Sequence, residues 1–471
     1  MLFNSLEFLI FIILFFVAWP LMRKANNRRW IYLTVASFFF YGWWDWRFLL
    51  LILGSGLIDF FAGLAMHSKP KFKKLFLILS IIGNIGSLAI FKYLDFIIGN
   101  LNWLSETSGI GSPIATTNLI LPVGISFYTF QSMSYTIDIY RGKLEPTHNV
   151  FHFFAYLSMF PQLVAGPIVR ASDLLPQLKN VMLTDETKRW RGMQLIALGF
   201  FKKVVVADTL APLVNAAFAG STPINSSAYW WIIMVLFSFQ IYCDFSGYSD
   251  IARGLAKWMG YDFPLNFNHP YISKSIREFW TRWHISLSTW FRDYVYIPLG
   301  GSHRGMVVGM FNMWITMMVS GLWHGAAWTF LFWGFLHGLY LFAERITKWP
   351  QRLGSLPGGA HISAILIFIM VLVSWVFFRA QSFSQAQMIL LQLINISNFN
   401  LGLAKALISG KAILLTLIMI TRQLYVYFGL DNHQWNDSKL VIAIQPVVVG
   451  LLLVGCIFLR GPGSAFIYFQ F

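Results

Sequence analysis

The segment Ser273-Lys-Ser-Ile-Arg-Glu-Phe-Trp-Thr-Arg-Trp-His-Ile-Ser-Leu-Ser-Thr-Trp-Phe-Arg-Asp-Tyr294 decides how this chain is interpreted. Its apolar residues recur at steps of three, four and one, which is the spacing of one face of an α-helix. Ser275, with Glu278 three positions later, resembles a capping box at the start of that helix. The pattern therefore predicts an amphipathic helix that lies at a membrane interface, with its tryptophans at the headgroup boundary.

The composition places this helix in a membrane protein. The 471-residue chain is 57% hydrophobic and 11% charged, whereas a soluble domain carries about 25% charged residues. Repeated long apolar runs predict an all-α polytopic membrane protein with about eleven or twelve transmembrane helices. The sequence shows no alternating short strands of the β-barrel type, no internal repeat and no separate soluble domain. We therefore expect residues 1–471 to form a single integral-membrane domain.

The basic residues predict the topology. The net charge is +16, but Lys and Arg cluster in short loops between apolar runs, as cytoplasmic loops do, and this argues against nucleic-acid binding. The first apolar run, residues 8–18, precedes Arg23 and Lys24, so we expect a retained first span with its N-terminus outside the cytoplasm. Only two cysteines occur, which excludes a disulfide framework or a cysteine-rich metal site.

One apolar segment does not fit a single crossing. Residues 150–169 are interrupted by Pro161, Gly166 and Pro167 and have basic residues on both flanks. A re-entrant or broken helix buried in protein fits this pattern, because irregular backbone at membrane depth must be shielded from lipid. A proline-kinked ordinary span is the alternative. Residues 379–411 form the longest linker on the outer side, where a surface helix is an option.

Two histidines stand in or beside apolar sequence. His324 lies in Gly321-Leu-Trp-His-Gly325 between two apolar runs, and His284 lies at the edge of the apolar face of the amphipathic segment. Ionisable groups at membrane depth are costly and usually face a cavity, and imidazole suits proton transfer near neutral pH. The plainer interpretations are a structural interfacial helix, a snorkelling His284 and a His324 that caps helix ends. His337 raises the same question, although its glycine neighbour also suits close helix packing.

Other functional classes are less well supported. The sequence has no HExxH motif, Walker loop, GxSxG elbow or Cys/His zinc spacing, so we expect no metal site. Intramembrane His, Asp and Arg also mark ion and proton routes, so a transporter or channel is the rival class. A transporter should show inverted repeats, which we do not find. A structural assembly scaffold is the third interpretation.

These motifs resemble those of the membrane-bound O-acyltransferases, in particular the bacterial alginate O-acetyltransferase (AlgI-like) branch. The resemblance rests first on the amphipathic segment and on Gly321-Leu-Trp-His-Gly-Ala326, and it covers essentially the whole chain. The further matching motifs are Leu121-Pro-Val-Gly-Ile-Ser-Phe-Tyr128, Ala165-Gly-Pro-Ile-Val-Arg170, Tyr242-Cys-Asp-Phe-Ser-Gly-Tyr-Ser-Asp250 and Phe466-Ile-Tyr-Phe-Gln-Phe471.

The resemblance implies a fold and a site. The fold is a set of transmembrane helices with re-entrant and horizontal helices around a central tunnel. His324 is then the catalytic histidine near mid-membrane and His284 the second polar histidine, on the horizontal helix. Asp244 and Trp323 are expected as supporting residues. The basic residues of the amphipathic segment would attract the phosphates of acetyl-CoA, and the candidates are Lys274, Arg277, Arg282 and Arg292.

The implied activity is transfer of an acetyl group from cytoplasmic acetyl-CoA across a bacterial inner membrane. The product would be an O-acetylated exported or cell-surface polysaccharide, alginate or similar. Acetyl-CoA is then a co-substrate, and no bound cofactor is expected. The expected partners are the polysaccharide or an outer-side SGNH-type acetyltransferase, together with membrane lipids. A sister branch leaves D-alanyl or other acyl transfer from a carrier protein to a cell-wall polymer as the alternative.

Overall fold

The described part of the chain is entirely helical in its regular structure. A computed structural model describes residues 1–109, 111–180, 185–220, 224–430 and 439–467, without the side chains of residues 439–442. Within these ranges no strand occurs, as the sequence predicts for an all-α protein. The last four residues of the predicted C-terminal motif lie outside the described residues.

Packing divides the chain into two compact units. The first comprises Met1–Gly192 and Ala252–Pro264, and the second comprises Met193–Ile251 and Leu265–Phe471. The two units differ in which residues contact each other, and this does not test whether the chain forms one membrane domain. That expectation stays a prediction.

The first unit is built from the N-terminal helices. Its α3, α4 and α6 enclose the buried carboxylate of Asp59, which accepts hydrogen bonds from Ser80, Asn84 and Ser132. A buried carboxylate without such donors would be costly. The α-helices of this unit are α1 (Leu6–Met22), α2 (Asn26–Gly42), α3 (Arg47–Ser68), α4 (Lys73–Leu88), α5 (Leu94–Ser108), α6 (Ile125–Tyr140), α7 (Val150–Leu157), α8 (Phe160–Leu163), α9 (Ala171–Lys179), the start of α10 (Glu186–Phe200) and the last residues of α12 (Ser227–Met259).

The apolar segment at residues 150–169 is broken, as one of the two interpretations predicts. Helix α7 ends at Leu157, and α8 has four residues with Pro161 in its first turn. Residues 164–170 continue without regular helix, and Ala165 and Val169 have no exposed surface. The irregular backbone is therefore enclosed by protein, which satisfies the shielding requirement.

The second unit contains the predicted site. Its helices are the end of α10, α11 (Asp208–Ala219), most of α12 (Ser227–Met259), α13 (Ile276–Arg282), α14 (Ile285–Phe291), α15 (Met306–His324), α16 (Trp328–Thr347), α17 (Trp349–Gly354), α18 (Gly359–Arg379), α19 (Phe383–Ile394), α20 (Leu401–Leu407), α21 (Gly410–Tyr427) and α22 (Lys439–Phe458). The linker at residues 379–411 contains two helices, α19 and α20, whereas the sequence left a helix there only as an option.

Several helices are long and apolar enough to cross a membrane. Five meet this criterion among the described residues, and the bent pair α20–α21, with an angle of 102°, makes a sixth if it is one broken span. The remaining predicted crossings, up to about eleven or twelve in total, stay a prediction. The five are Arg47–Ser68, Pro70–Ser108, Ser227–Met259, Met306–His324 and Gly359–Arg379.

The amphipathic segment forms two short helices, so the prediction of one continuous interfacial helix is wrong. Helix α13 ends at Arg282, His284 adopts a left-handed φ of 43°, and α14 begins at Ile285. The predicted cap is confirmed, because Ser275 Oγ accepts a hydrogen bond from the backbone N–H of Glu278 at 2.9 Å. The apolar face is buried within the protein. A reversal of φ at a single residue leaves the spacing of apolar residues nearly unchanged, so periodicity could not reveal it.

Helices α15 and α16 pack at backbone distance through glycines. A Cβ added to Gly321 would lie 2.2 Å from the carbonyl oxygen of Phe330, and one added to Gly334 would lie 2.3 Å from that of Met317. Small residues permit this close approach between membrane helices. The contact fixes the end of α15, and with it His324, against α16.

The glycine contact predicts a loss of stability on substitution. Gly334→Ala should destabilise the protein by about 1–3 kcal/mol, because the new methyl group overlaps a backbone oxygen that cannot rotate away. Thermal unfolding in detergent measures the effect. Gly86→Ala in α4 is the matched control, since no heavy atom lies within 4 Å of its added Cβ. An unchanged melting temperature for Gly334→Ala would contradict the backbone contact.

Candidate functional site

His324 is the last residue of α15 and lies among aromatic rings. It is 3% exposed. Its ring centroid lies 5.0 Å from that of Trp323 and 5.2 Å from those of Trp333 and Phe378. The carbonyl end of a helix carries partial negative charge, which stabilises an imidazolium formed when the ring takes up a proton. The position therefore suits a histidine that gains and returns a proton.

His284 lies at the break between α13 and α14 and has no exposed surface. Its Nδ1–H donates to Asn266 Oδ1 at 3.2 Å, and the same oxygen accepts from the backbone N–H and the hydroxyl of Ser286. The Asn266 side-chain nitrogen donates to Ser249 Oγ at 3.1 Å. Burial lowers the pKa of His284, so its ring is neutral near pH 7. The sequence alone does not identify Asn266, because within Pro264-Leu-Asn-Phe-Asn268 it looks like an ordinary polar loop residue.

Trp323 connects the two histidines. Its indole centroid lies 5.0 Å from the His324 ring and 6.0 Å from the His284 ring, and the residue is 4% exposed. The His284 ring also packs against Phe245, with centroids 4.5 Å apart and rings nearly perpendicular. The fold thus brings His284, Trp323 and His324 into one cluster from two distant parts of the sequence.

Asp244 takes part in a separate buried ion-pair network. Its Oδ1 lies 2.8 Å from Lys203 Nζ, and its Oδ2 accepts from the backbone N–H of Ile467 at 2.7 Å. Lys203 Nζ also lies 2.8 Å from Asp208 Oδ1. In the described structure these polar contacts of Asp244 involve no histidine. The network holds the C-terminal segment against α12, and Phe245, the residue after Asp244, contacts His284.

A cavity of about 920 Å³ lies beside α13 and α14. Four cationic side chains and one carboxylate line it, together with hydroxyl, thioether and aromatic groups. Such a volume is in the range that holds a small-molecule ligand. The charged residues of the described lining are Arg277, Arg292, Arg345, Lys348 and Glu344.

Two of the predicted basic residues line this cavity and two do not. Arg277 and Arg292 belong to the lining. Lys274 instead places its ammonium group 5.1 Å from the ring centroid of Tyr427. Arg282 pairs with Glu278 on its own helix at 2.9 Å.

The local pattern did not identify two cations at the cavity, Arg345 near the end of α16 and Lys348 directly after that helix. Arg345 and Lys348 follow an apolar run, so their local pattern is that of ordinary basic residues at the end of a span. These two residues reach the cavity because α16 packs against α15, and this packing brings the C-terminal end of α16 close to α13.

Glu344 ties α13 to α16 at the edge of the cavity. Its carboxylate accepts from the backbone N–H groups of Ile276 at 2.6 Å and Arg277 at 3.4 Å. N–H groups at the start of a helix have no carbonyl partner within that helix, and the same end carries partial positive charge. Burial raises the pKa of Glu344, and the two N–H donors oppose that shift. The interaction fixes the start of α13 and so the direction of Arg277.

One face of α15 leads from the cavity to His324. Met313, Thr316, Met317 and Ser320 line the cavity, and His324 follows Ser320 by four residues. Residues at this spacing are neighbours about 5–6 Å apart on a helix face. The cavity therefore ends one helical turn from the imidazole.

An aromatic pair also connects the cavity lining with His324. Trp280 lines the cavity, and its ring centroid lies 5.7 Å from that of Trp333. Trp333 in turn contacts His324 at 5.2 Å. One turn of α15 and these two indoles thus separate the cavity from His324.

Comparison with known proteins identifies a family and several relatives that this chain resembles. A family model described as the membrane-bound O-acyltransferase family matches residues 142–387, which include α12 to α18. A Pseudomonas aeruginosa protein named probable alginate O-acetylase AlgI is 40% identical over 82% of this chain and 73% of its own length. A Helicobacter pylori peptidoglycan O-acetyltransferase is 32% identical over 94% of this chain and 91% of its own length. A Bacillus subtilis teichoic acid D-alanyltransferase is 30% identical over 54% of this chain and 66% of its own length.

The hydrogen bonds of Asn266 predict a specific loss of stability. Asn266→Ala should destabilise the protein by about 1–3 kcal/mol, because it leaves the buried donors of His284 and Ser286 without their acceptor. Asn268→Ala, two residues away and exposed, should change stability by less than about 0.5 kcal/mol. Thermal melts of the two variants in the same detergent make the comparison. Equal melting temperatures would show that Asn266 does not hold the α13–α14 turn.

Proposed function

This chain belongs to the membrane-bound O-acyltransferase family and is an O-acyltransferase, and we propose that it acetylates an exported or cell-surface polysaccharide, alginate or a similar glycan. The proposal is supported by relatives whose names describe alginate O-acetylation and peptidoglycan O-acetylation, and these relatives match most of the chain. The observation that carries it is the cavity whose α15 face continues to His324.

The proposed donor is acetyl-CoA, supplied from the cytoplasm to this cavity. Its phosphates require cationic partners, and Arg277, Arg292, Arg345 and Lys348 together outnumber the one carboxylate of the described lining. Arginine binds phosphate oxygens through two parallel hydrogen bonds, and lysine binds them as a point charge. The charge of the lining therefore fits a polyanionic donor, and its α15 face directs the acyl end toward His324.

In the proposed mechanism His324 is the general base. It takes the proton from an acceptor hydroxyl while that oxygen attacks the thioester carbonyl carbon. The carbon–sulfur bond then breaks, and the imidazolium returns the proton to the leaving thiolate. His284 is neutral and its Nδ1–H is held by Asn266, so its Nε2 is a hydrogen-bond acceptor that would orient the donor. Stabilising the oxyanion, the other role considered for this residue, would require a second proton on the ring. Trp323 would keep the two rings in register through its contacts with both.

The acceptor and the membrane setting belong to the same proposal. The hydroxyl comes from the polysaccharide itself or from an outer-side SGNH-type acetyltransferase partner. The protein is placed in the bacterial cytoplasmic membrane with its N-terminus outside, because the basic loops favour that orientation. The alternative acyl group is D-alanyl from a carrier protein, which is favoured only by the likeness to the D-alanyltransferase over about half of this chain. Acyl transfer from a purified thioester would distinguish either reaction from transport.

The first test concerns His324. His324→Ala should lower acetyl transfer by a factor on the order of 10² to 10⁴, which is the usual contribution of a general base. The protein should still insert into the membrane. The assay is release of free thiol from acetyl-CoA by purified protein with acceptor. His361→Ala is the control. His361 of α18 forms a hydrogen bond with Tyr427 of α21, and because neither residue lies on α15 this variant should retain activity. Full activity of His324→Ala would refute the assignment.

The second test concerns the donor cavity. Arg345→Gln should raise KM for acetyl-CoA about tenfold or more and leave kcat largely unchanged, because a hydrogen bond to a charged group contributes about 1.5–3 kcal/mol. Arg352→Gln is the control with the same change of net charge, at an exposed position outside the lining. Equal KM values for the two variants would mean that only the overall charge matters and that the cavity does not bind the donor.

A further inference from the structure

His337 is a buried histidine that the proposed mechanism does not use. It lies in the middle of α16 and has no exposed surface. Its Nε2 lies 3.0 Å from Ser374 Oγ on α18, and the Ser374 hydroxyl donates to the carbonyl oxygen of Val371 at 2.8 Å. Because the only hydroxyl proton of Ser374 is already used, His337 must donate from Nε2. The hydrogen bond fixes the tautomer of His337 and joins α16 to α18.

The ring of His337 contacts the aromatic pair of Trp280 and Trp333. Its centroid lies 4.7 Å from that of Trp333, one turn earlier on α16, and 5.2 Å from that of Trp280. It also lies parallel to Phe279 of α13 at 6.2 Å, with an angle of 13° between the planes. The imidazole thus touches both indoles that separate the cavity from His324.

Trp333 contacts His337 and His324, so it connects the two histidine rings. Trp333 has no exposed surface, lies parallel to Trp375 of α18 at 5.9 Å, and meets the His324 ring edge to face at 5.2 Å. Protein interiors are packed as densely as organic crystals, so a ring in such a stack has little freedom to turn independently of its neighbours. A change in the orientation of His337 would therefore displace Trp333 and with it the plane of His324.

We propose that His337 is a positioning residue for acyl transfer, which holds His324 in its reactive orientation through the Ser374 hydrogen bond and the ring of Trp333. This inference rests on the proposed role of His324 as the base. It adds to that role a third histidine and a serine that contact neither the cavity nor the reacting atoms. Small misplacements of a catalytic group can cost on the order of 10²-fold in rate, so the effect should appear in kcat.

The experiment compares four variants of the full-length protein in acetyl transfer from acetyl-CoA. Ser374→Ala keeps the His337 ring and removes its acceptor, whereas His337→Phe keeps a ring and removes the donor. Each of these two variants should lower kcat about tenfold or more and leave KM for acetyl-CoA nearly unchanged. In a plot of kcat against pH, each should also shift the apparent pKa that reports the general base. Ser374→Thr retains the hydroxyl and should restore kcat and the pH profile. Ser363→Ala, a buried serine of the same helix without a side-chain hydrogen bond among the described residues, is the control and should match the wild type.

The outcomes separate this inference from the proposed function. If His324→Ala is inactive while Ser374→Ala and His337→Phe keep the wild-type kcat and pH profile, the positioning role is wrong and the base assignment stands. If kcat and the melting temperature fall together with no change in the pH profile, His337 has only a structural role, which also overturns the inference. Full activity of His324→Ala would remove the proposed function itself.

Discussion

The close contact between α15 and α16 is the constraint on which the second unit depends. Gly321 and Gly334 leave no space for a Cβ between these helices, so the backbone of one helix lies directly against the other. In a membrane the hydrophobic effect does not drive helices together, and close packing of small residues replaces it. As a result, His324 at the end of α15 meets the ring of Trp333 from α16. A longer separation of the helix axes would leave this histidine without its aromatic surroundings.

Hydrogen bonds to polar side chains also hold the helices around the cavity in place. Asn266 holds the turn at His284, Ser374 holds His337, and Glu344 holds the start of α13. Each bond satisfies a donor that would be costly to bury alone, and each joins two elements that are distant in the sequence. The cavity is therefore bordered by helices whose relative positions are set by specific polar contacts as well as by ring packing. Such a wall suits a site that must hold a donor and a base in a constant geometry.

Much of this architecture follows from sequence patterns, but the turn at His284 does not. Long apolar runs predicted an all-α membrane protein, and the prolines at residues 150–169 predicted a broken segment, which the structure contains. The amphipathic segment was wrongly predicted as one helix, because a single residue with φ of 43° barely disturbs the periodicity. Asn266 was missed for a related reason. Its role depends on a side-chain contact across a loop, and nothing in local composition distinguishes it from an ordinary polar loop residue.

Residue patterns alone identify the class of the protein, its resemblance to a family of acyltransferases, and the two histidines of the candidate site. Residue types, their spacing along a helix and the distribution of charge are all local properties, and these conclusions need nothing more. The folded chain was needed to show that Trp323 contacts both His284 and His324, and that Arg345 rather than Lys274 lines the cavity. It was also needed to show that His337 contacts Trp333 and Ser374. These contacts depend on how each helix is rotated and how closely it packs, which the period of its apolar residues does not specify.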